Sequence, residues 1–428
     1  MASAALFTIA VFAFFAGNYA TNSFPSSHYY QDLGDSFLHG SLSLLQKPPE
    51  ALATLDNPYY LDERKDIDSL FDASYYKGNY YLYFSALPVI LFYIPVRLIF
   101  GVFPSSQTSA VFFASLALIF WAGILRTAMK STLLPKWAWV LALGLALLLP
   151  NQLWDPAVYG VAVLCGVACS GAWGYFLCRF RENGSERDAC LMSLAASFAM
   201  ASRPHLGILV LVSLWVLRKN KAIWVSLIPI VVVSALLAAY DYARFGSPFE
   251  VGATYQLSVV PTPRLGLPTW QGLARYVSQL FHYLFWPPQT FTEFPFLRLR
   301  ESQVGDLGTY PGAPESLIGC LVLAPFLIAG VAMALVKAPK TDGAFKAARE
   351  MMVAGALVLV FLPSFWLVTS RYTMDFLGLV ALGAAICLEN GFPRLKELAL
   401  GPNAARALLA CALIYSVLLG LSFSFPNP

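Results

Sequence analysis

The sequence has few charged residues and few histidines. Asp, Glu, Lys and Arg make up only 12% of its 428 residues, and there are four histidines. Soluble domains carry roughly a quarter charged residues, so this composition excludes an ordinary soluble protein. The net charge of +4 is small and its basic residues are scattered, which leaves no basic patch of the kind that binds nucleic acid. We therefore expect no nucleic-acid partner.

Several catalytic motifs are also missing from the sequence. It contains no GxxxxGK[ST], HExxH or GxSxG motif, which argues against nucleotide-driven pumps, zinc peptidases and α/β-hydrolases. The seven cysteines lie in or beside apolar runs and form no CxxC pair, so neither a disulfide framework nor a cysteine metal site is indicated. The histidines are too dispersed for a zinc site.

What the sequence does contain is long apolar runs. Hydrophobic residues make up 58% of the chain, and its mean hydropathy is +0.63. A helix that crosses a bilayer needs about 20 apolar residues, and runs such as residues 223–240 do not alternate as a membrane β-strand does. We predict an all-α polytopic membrane protein whose residues 1–428 form a single transmembrane domain.

Two large polar segments interrupt the apolar runs and are predicted to be external loops with short amphipathic helices. The first spans residues 29–84 and the second spans residues 241–315, before residues 316–428 return to apolar helices. In the first loop, residues 36–45 have the apolar spacing of a helix that lies on a membrane surface. Nine of the 24 acidic residues lie in this loop, namely Asp32, Asp35, Glu50, Asp56, Asp62, Glu63, Asp66, Asp68 and Asp72.

The basic residues restrict the membrane topology, because basic loops stay in the cytoplasm. They lie mainly at residues 126–136, 179–187, 218–221, 337–349 and 394–406. If residues 82–103 and 109–125 each cross the bilayer, the loop at 126–136 falls outside, against its charge. If they make one net crossing, all the basic loops fall inside, and Asp155 and Arg203 lie outside with both polar loops. We favour this second topology because prolines interrupt the first of the two runs.

Two aspartates near the start of the first loop are candidates for the catalytic base. Asp32 and Asp35 lie three residues apart and would share a face if the segment is helical. One would be the general base and the other would orient an acceptor or a metal. The alternative is structural, with Asp35 capping a helix that begins at Ser36 and Asp32 exposed to solvent.

A tyrosine-rich segment ends the first loop. Asp72 is a candidate second acid, and the tyrosines that follow could line a sugar cleft; they are Tyr75, Tyr76, Tyr80 and Tyr81. The alternative is a hairpin turn at Lys77-Gly78-Asn79 within a belt of interfacial aromatic residues.

Four basic residues are candidates for binding a phosphate group. Arg203 precedes a proline inside an apolar run, and broken membrane helices are tolerated where they line a cavity. His205, Arg244 and Arg371 fall on the same side in the favoured topology, and Tyr372 follows Arg371 as a further cleft residue. The structural alternatives are that Arg203 reaches toward lipid headgroups and that Arg371 pairs with Asp375 to close a turn.

Taken in order, these segments resemble the GT-C superfamily of integral-membrane glycosyltransferases over residues 1–390. The likeness is to bacterial proteins related to the protein O-mannosyltransferase and lipid A aminoarabinose transferase families, although their adjacent Asp-Glu pair is absent. The segments that carry it are Asp35–Gly40, Tyr75–Phe84, Pro150–Asp155, Arg203-Pro204, Arg244–Gly252 and Arg371-Tyr372.

The resemblance implies a bundle of about 10 to 12 transmembrane helices with an external active site. It implies a polyprenyl-phosphate-linked sugar donor, a catalytic acid at Asp35 or Asp32, a second acid at Asp155, and Arg203 at the donor phosphate. We expect a hexosyl or pentosyl group to pass to the hydroxyl of a glycan, lipid or protein acceptor, with inversion. A divalent cation is the one cofactor considered. The expected location is a bacterial inner membrane, with the site facing the periplasm or exterior.

The alternative function is that of a transporter or flippase for lipid-linked sugars. That function predicts discontinuous helices at matching positions in two inverted halves. The sequence has one clear break, at Arg203, and no counterpart in its second half.

Overall fold

The computed structural model describes residues 1–18, 28–130, 133–154, 156–258, 270–302, 315–336, 342–365, 368–392 and 401–425. Most of them are helical. The helices are α1 (Ala2–Asn18), α2 (Tyr29–Leu38), α3 (Ala51–Thr54), α4 (Leu61–Arg64), α5 (Ile94–Phe100), α6 (Ser106–Ala128), α7 (Lys136–Ala146), α8 (Ala157–Asn183), α9 (Glu186–Ser202), α10 (Ile208–Leu217), α11 (Ile223–Phe245), α12 (Trp270–Phe285), α13 (Cys320–Leu323), α14 (Phe326–Leu335), α15 (Gly343–Phe361), α16 (Ser370–Gly391) and α17 (Pro402–Ser422). Three short antiparallel hairpins, β1–β2 (Ala73–Tyr76 and Asn79–Leu82), β3–β4 (Gln289–Thr290 and Leu297–Arg298) and β5–β6 (Arg300–Glu301 and Ser316–Leu317), accompany them.

The structure confirms an all-α polytopic membrane protein. Among the described residues, α6, α8, α11, α16 and α17 are long and apolar enough to span a bilayer. Shorter apolar helices pack beside them, including α1, α10 and α14. The helices differ in burial, since α16 and α8 are almost enclosed by the protein whereas α11 and α17 are mostly exposed.

Small residues let the central helices approach closely, as is usual where lipid supplies no hydrophobic drive for association. A Cβ on Gly330 of α14 would lie 2.3 Å from the Cβ of Ala384 on α16. A Cβ on Gly378 of α16 would lie 2.8 Å from the ring of Trp121 on α6. These contacts fix the start of α16 relative to its neighbours, and the candidate site lies at that start.

The bundle has two chemically different ends. At the basic end, Arg181 pairs with Glu350, and Asn390 donates a hydrogen bond to the carbonyl of Ala128 over 2.7 Å. At the loop end, the rings of Phe15 and Phe425 lie 5.3 Å apart, and Asn151 contacts the carbonyl of Phe423. The polar loops that follow α1 and α11 meet at the loop end.

The conformation of the first polar loop depends mainly on contacts between its segments, because its helices are short. The expected helix at residues 36–45 is wrong, because α2 ends at Leu38 and Gly40 has a left-handed backbone, with φ of 72°. The expected hairpin turn is confirmed, since Tyr75 pairs with Tyr80 across β1 and β2. The backbone N–H of Leu44 donates to the carbonyl of Tyr80 over 2.8 Å. The segment after α2 thus packs against the hairpin.

The proline-broken run at residues 82–103 forms only a short helical piece. A π-helical turn at Val89–Tyr93 leads into α5, which ends at Phe100 and is capped by Gly101. Together these 12 residues rise about 18 Å at 1.5 Å per residue, well short of the roughly 30 Å of a bilayer core. This length agrees with one net crossing between the first loop and the end of α6.

Candidate active site

The break at Arg203 separates two antiparallel helices at the loop end. α9 ends at Ser202, a 3-10 turn follows at Pro204–Gly207, and α10 then returns through the bundle. The hydroxyl of Ser202 donates to the carbonyl of Ala162 over 2.8 Å. Glycine at position 166 leaves room for the arginine, because a Cβ there would lie 3.0 Å from Cγ of Arg203. The stem of Arg203 therefore runs along α8 into the protein.

The guanidinium group of Arg203 is held by a buried carboxylate on α16. Its Nη2 donates to Oδ2 of Asp375 over 2.7 Å, and Nε2 of His205 lies 2.8 Å from the same oxygen. The ring of Tyr372 lies 5.0 Å from Cζ of Arg203. The arginine and the aspartate are both at least nine-tenths buried. The second oxygen of Asp375 and Nε of Arg203 have no hydrogen-bond partner among the described residues.

This pairing differs from the one considered in the sequence. Arg371 does not pair with Asp375; its Nη2 contacts Oε1 of Glu315, and the hydroxyl of Thr369 donates to the other oxygen of Glu315 over 2.9 Å. Asp375 is instead engaged by Arg203 and His205 from the break between α9 and α10, and Glu315 of the second polar loop reaches Arg371. The guanidinium of Arg371 also lies 4.3 Å from the ring of Tyr159 at the start of α8.

Tyr159 links this arginine to Asp72. Its hydroxyl donates to Oδ2 of Asp72, and Nε2 of Gln256 donates to Oδ1 over 3.1 Å. The backbone N–H of Asp72 donates to the carbonyl of Leu257 over 2.9 Å. Its φ of 59° lies in the left-handed region, which aspartate tolerates better than most residues. These contacts from α8 and the second polar loop hold the carboxylate in place.

Burial raises the pKa of Asp72 to about 6, against the opposing charge of Arg371 and the hydrogen bond from Gln256. The side chain is only 6% exposed, so loss of hydration outweighs these favourable contacts. Asp72 is therefore largely ionised at neutral pH but protonates far more readily than an exposed aspartate. A carboxylate of this kind is a frequent feature of catalytic sites.

The first turn of α2 approaches both halves of the site. The hydroxyl of Tyr29 donates to the carbonyl of Phe71 over 2.6 Å. Burial raises the pKa of Tyr29, and the charges of Asp72 and Asp32 raise it further, which places both carboxylates near its hydroxyl. Burial likewise raises the pKa of Tyr30, and the nearby charge of Arg203 opposes that increase. Asp32 thus follows two tyrosines that point to Asp72 and to Arg203.

Asp32 and Asp35 lie in different surroundings. The side chain of Asp32 is exposed, yet burial of its surroundings raises its pKa, with Asp35 adding to this and His28 opposing it. That combination is expected of a carboxylate on the wall of an open cleft. Asp35 lies one turn later with a side chain 43% exposed, and its Oδ1 is 3.7 Å from Nδ1 of His39. Their catalytic roles stay predictions.

The hairpin tyrosines divide into two pairs. Tyr75 and Tyr80 are buried within the loop, and the hydroxyl of Tyr80 accepts a hydrogen bond from the backbone of Leu70. Tyr76 and Tyr81 are only partly buried, and each packs against Phe245, with ring centroids 5.6 and 5.3 Å from it. Only this second pair presents ring surface outward, so it is the pair better placed to stack on a sugar.

Arg244 ties the end of α11 to the hairpin. Its Nη1 donates to the carbonyl of Leu82 over 2.8 Å, its Nη2 donates to Oδ1 of Asp241 over 2.5 Å, and it lies 3.9 Å above the ring of Tyr240. Both terminal nitrogens therefore bind protein groups. Phosphate binding by Arg244 stays a prediction, and Asp155 lies outside the described residues.

Within the described part of the chain, no group of three or more His, Cys, Asp and Glu side chains could hold a metal ion. The carboxylates nearest to the site are instead held by protein donors. Asp375 binds Arg203, and Asp72 binds Tyr159. The expectation of a divalent cation stays untested.

Four residues of the site were not selected from the sequence. They are Tyr83, Tyr159, Glu315 and Asp375. Burial raises the pKa of Tyr83 to about 12, and the charges of Arg203 and Asp72 act on it in opposite directions. Asp375 could have been selected from the sequence, because an acidic residue inside an apolar helix is energetically costly and is usually functional. No feature of the sequence distinguished Tyr159 from the other tyrosines.

A search of solved structures finds similarity to an archaeal oligosaccharyltransferase, AglB from Archaeoglobus fulgidus, in complex with an inhibitory peptide and a dolichol-phosphate. The TM-score is 0.52 at 15% sequence identity, and the match covers 99% of this chain. The chain spans about 56% of the length of that neighbour. No protein-family profile matches the chain, and no curated protein sequence matches it. At this identity the likeness shows the fold alone, which this chain shares with that membrane protein.

Proposed function

We propose that this protein is a glycosyltransferase that moves a sugar from a polyprenyl-phosphate donor to an acceptor hydroxyl at the loop end of the bundle. The observation that carries the proposal is that two adjacent residues of α16 link Arg203 to the first polar loop: Tyr372 lies against Arg203, and Arg371 lies against Tyr159, which binds Asp72. Arg203 is placed by the break between α9 and α10, and Asp32 and Asp72 are placed by α2 and the hairpin. A cation beside carboxylates at a membrane edge suits transfer from a lipid phosphate. The GT-C fold supports the same class of reaction.

Arg203 would bind the donor phosphate. Its Nη2 is engaged by Asp375, but Nε has no partner among the described residues. A phosphate oxygen would accept a charge-assisted hydrogen bond from that nitrogen, and such bonds are about twice as strong as neutral ones. Arg371, next to Tyr372 in the first turn of α16, would add positive potential. His205, on the same carboxylate, completes the phosphate-binding group.

Asp32 would be the general base. It is accessible, lies in the first turn of α2 and stands near the hydroxyl of Tyr29, whereas both oxygens of Asp72 already accept hydrogen bonds. The acceptor hydroxyl gives its proton to Asp32 as its oxygen bonds to the anomeric carbon. The bond from that carbon to the phosphate oxygen breaks, and the electron pair leaves with the lipid phosphate. One displacement of this kind inverts the anomeric configuration.

The acceptor is the hydroxyl of a glycan, lipid or protein, and the group transferred is a hexosyl or pentosyl unit. The outward pair Tyr76 and Tyr81 would stack on one of the sugars. The basic end, with residues such as Arg187, would lie in the cytoplasm of a bacterium, so the loop end would face the periplasm or the exterior. Cysteines introduced at Glu63 and Arg187, both exposed, test this orientation with a membrane-impermeant reagent in intact cells. If only the cysteine at position 187 is labelled from outside the cell, the orientation is the reverse of the one proposed.

The test of function is transfer from polyprenyl-phosphate-linked sugars by the protein reconstituted in lipid vesicles, with and without a metal chelator. We expect Asp32→Asn to lower the rate on the order of a hundredfold or more, the usual contribution of a general base. The matched variant Asp35→Asn should retain most of the transfer rate. Arg203→Ala should abolish transfer, whereas Arg181→Ala, at the basic end, should not. Full activity in both Asp32→Asn and Arg203→Ala would refute the mechanism.

A further inference from the structure

The amphipathic helix α12 covers the loop end of α15 and the start of α16. The hydroxyl of Tyr276 donates to the carbonyl of Val360 over 2.6 Å, and the ring of Tyr283 meets that of Phe376 edge-on with centroids 6.0 Å apart. Its outward face is apolar and exposed, with Leu273, Val277, Phe281 and Phe285 at four-residue intervals. This apolar face suits contact with lipid. The inner face is unusual because it buries polar side chains.

Polar side chains are buried on the inner face of α12 and lack partners. Gln279, His282 and Tyr283 are all at most 4% exposed. Among the described residues, neither amide atom of Gln279 has a hydrogen-bond partner, and the same holds for Nε2 of His282. The O–H of Tyr283 donates to no described group. On α16, the hydroxyl of Thr373 is also buried without a partner. Two neighbouring helices thus bury several unpaired neutral polar groups.

These groups lie beside the Arg203–Asp375 pair. The ring of Tyr283 contacts Phe376, the residue that follows Asp375 on α16, and the charges of Asp375 and Arg203 act in opposite directions on the pKa of Tyr283, which burial raises. Gln279 lies one helical turn earlier on the same face. Thr373 lies on α16, two residues before Asp375. The contact between Tyr283 and Phe376 therefore brings one end of the inner face of α12 to the start of α16, where Thr373 and Asp375 lie.

Buried polar groups without hydrogen-bond partners lower the stability of the folded protein unless a ligand binds them. A buried amide without a partner loses its hydration and gains nothing, so an apolar side chain of similar size would make the free protein more stable. Nδ1 of His282 contacts the carbonyl of Ser278 and so carries the ring proton, and burial lowers the pKa of this histidine, leaving Nε2 a neutral acceptor. The unpaired set contains both donors and acceptors and no formal charge.

We propose that the inner face of α12 and the facing turn of α16 bind the sugar ring of the lipid-phosphate donor. This inference rests on the proposed function and specifies where the sugar lies. Sugar hydroxyls both donate and accept, which matches the amide of Gln279 and the hydroxyls of Tyr283 and Thr373. Because these atoms are closed to solvent in the structure, α12 moves away from α16 when the donor enters. Arg203 holds the phosphate at one end of this subsite.

The experiment compares two ligands in the full-length protein. Polyprenyl phosphates that carry a hexose or a pentose are tested against the bare polyprenyl phosphate, by binding and by thermal unfolding. Gln279→Met should raise the unfolding temperature of the free protein. It should weaken binding of the matching sugar-bearing ligand by roughly five- to tenfold, the effect of one hydrogen bond lost, and leave binding of the bare phosphate unchanged. Thr373→Val should act in the same direction.

Gln107→Met is the matched control, because Gln107 on α6 also has a buried amide nitrogen without a partner. It should change stability but not the preference for the sugar-bearing ligand. If Gln279→Met and Thr373→Val both preserve that preference for every sugar tested, the subsite does not exist. Arg203→Ala separates this result from failure of the proposed function, because it should weaken both ligands. If it weakens neither, the phosphate assignment is wrong.

Discussion

Replacing Asp375 with asparagine tests how Arg203 is held. Asp375→Asn preserves the shape of the side chain but removes the negative charge that faces Arg203 and His205 at 2.7 and 2.8 Å. Arg203 is 9% exposed, so water cannot replace the lost partner. Removing one member of a buried ion pair typically costs about 3–5 kcal/mol. We expect a loss of this size in the free energy of unfolding, measured in detergent.

An anionic ligand should compensate for the lost charge. If Arg203 faces the donor phosphate, polyprenyl phosphate brings a negative charge to the uncompensated guanidinium in Asp375→Asn. Ligand at 100 times its dissociation constant stabilises a protein by about 2.7 kcal/mol. Tighter binding by the variant would therefore give a larger rise in unfolding temperature than in the unmodified protein at the same ligand concentration.

Glu350→Gln is the control, since Glu350 pairs with Arg181 at the basic end and is also buried. It should lose stability as well, but polyprenyl phosphate should stabilise it no more than it stabilises the unmodified protein. Two results would refute the reasoning. One is an Asp375→Asn variant as stable as the unmodified protein, which would mean that the pair does not hold Arg203. The other is equal stabilisation of all three proteins by the ligand, which would mean that Arg203 does not face the phosphate.

Three further predictions follow from the site. Burial raises the pKa of Asp72 to about 6, so this carboxylate becomes protonated as pH falls through 6. Its charge helps to hold the site in which Asp32 acts as the base, so the transfer rate should begin to fall near pH 6. Asp72→Asn should be slow and should lack this decline, keeping only the decline caused by protonation of Asp32. Gly166→Ala puts a Cβ 3.0 Å from Cγ of Arg203, so the arginine must shift. The Michaelis constant for the donor should rise severalfold, and an unchanged constant together with an unchanged unfolding temperature would contradict the packing. Tyr159→Phe removes a hydrogen bond to Asp72, which should raise the pKa of that carboxylate; the acid limb of the rate profile should move to higher pH, and a shift to lower pH would contradict the assignment.

Local patterns in the sequence predicted the parts of this protein that depend on neighbouring residues. Apolar runs predicted the spanning helices, because a bilayer core requires every backbone group to be paired within the segment. Proline at position 204 predicted the break after Arg203, and glycine at position 78 predicted the hairpin turn. Each of these is a property of a short stretch of chain, so tertiary contacts did not have to be known.

Local sequence patterns could not predict the boundaries of α2 or the partners in the ion pairs. The predicted helix at residues 36–45 was displaced, because Tyr29 and Tyr30 bury their rings against distant residues and start the helix earlier. The choice of Asp375 as the partner of Arg203 spans 172 positions of sequence. An isolated sequence has no information on which of several charges reaches a given arginine.

The sequence by itself determined a helical membrane protein with acidic and aromatic loops and a cation at a helix break. Only the tertiary structure decided which groups meet: Asp375 holds Arg203, Tyr159 and Gln256 hold Asp72, and the first turn of α2 brings Asp32 toward both. The physical reason is that apolar burial and backbone hydrogen bonding act over a few residues, and so leave periodic traces in sequence. Side-chain pairing between helices depends on their relative rotation and translation, which close packing of small residues such as Gly166 sets across the whole bundle.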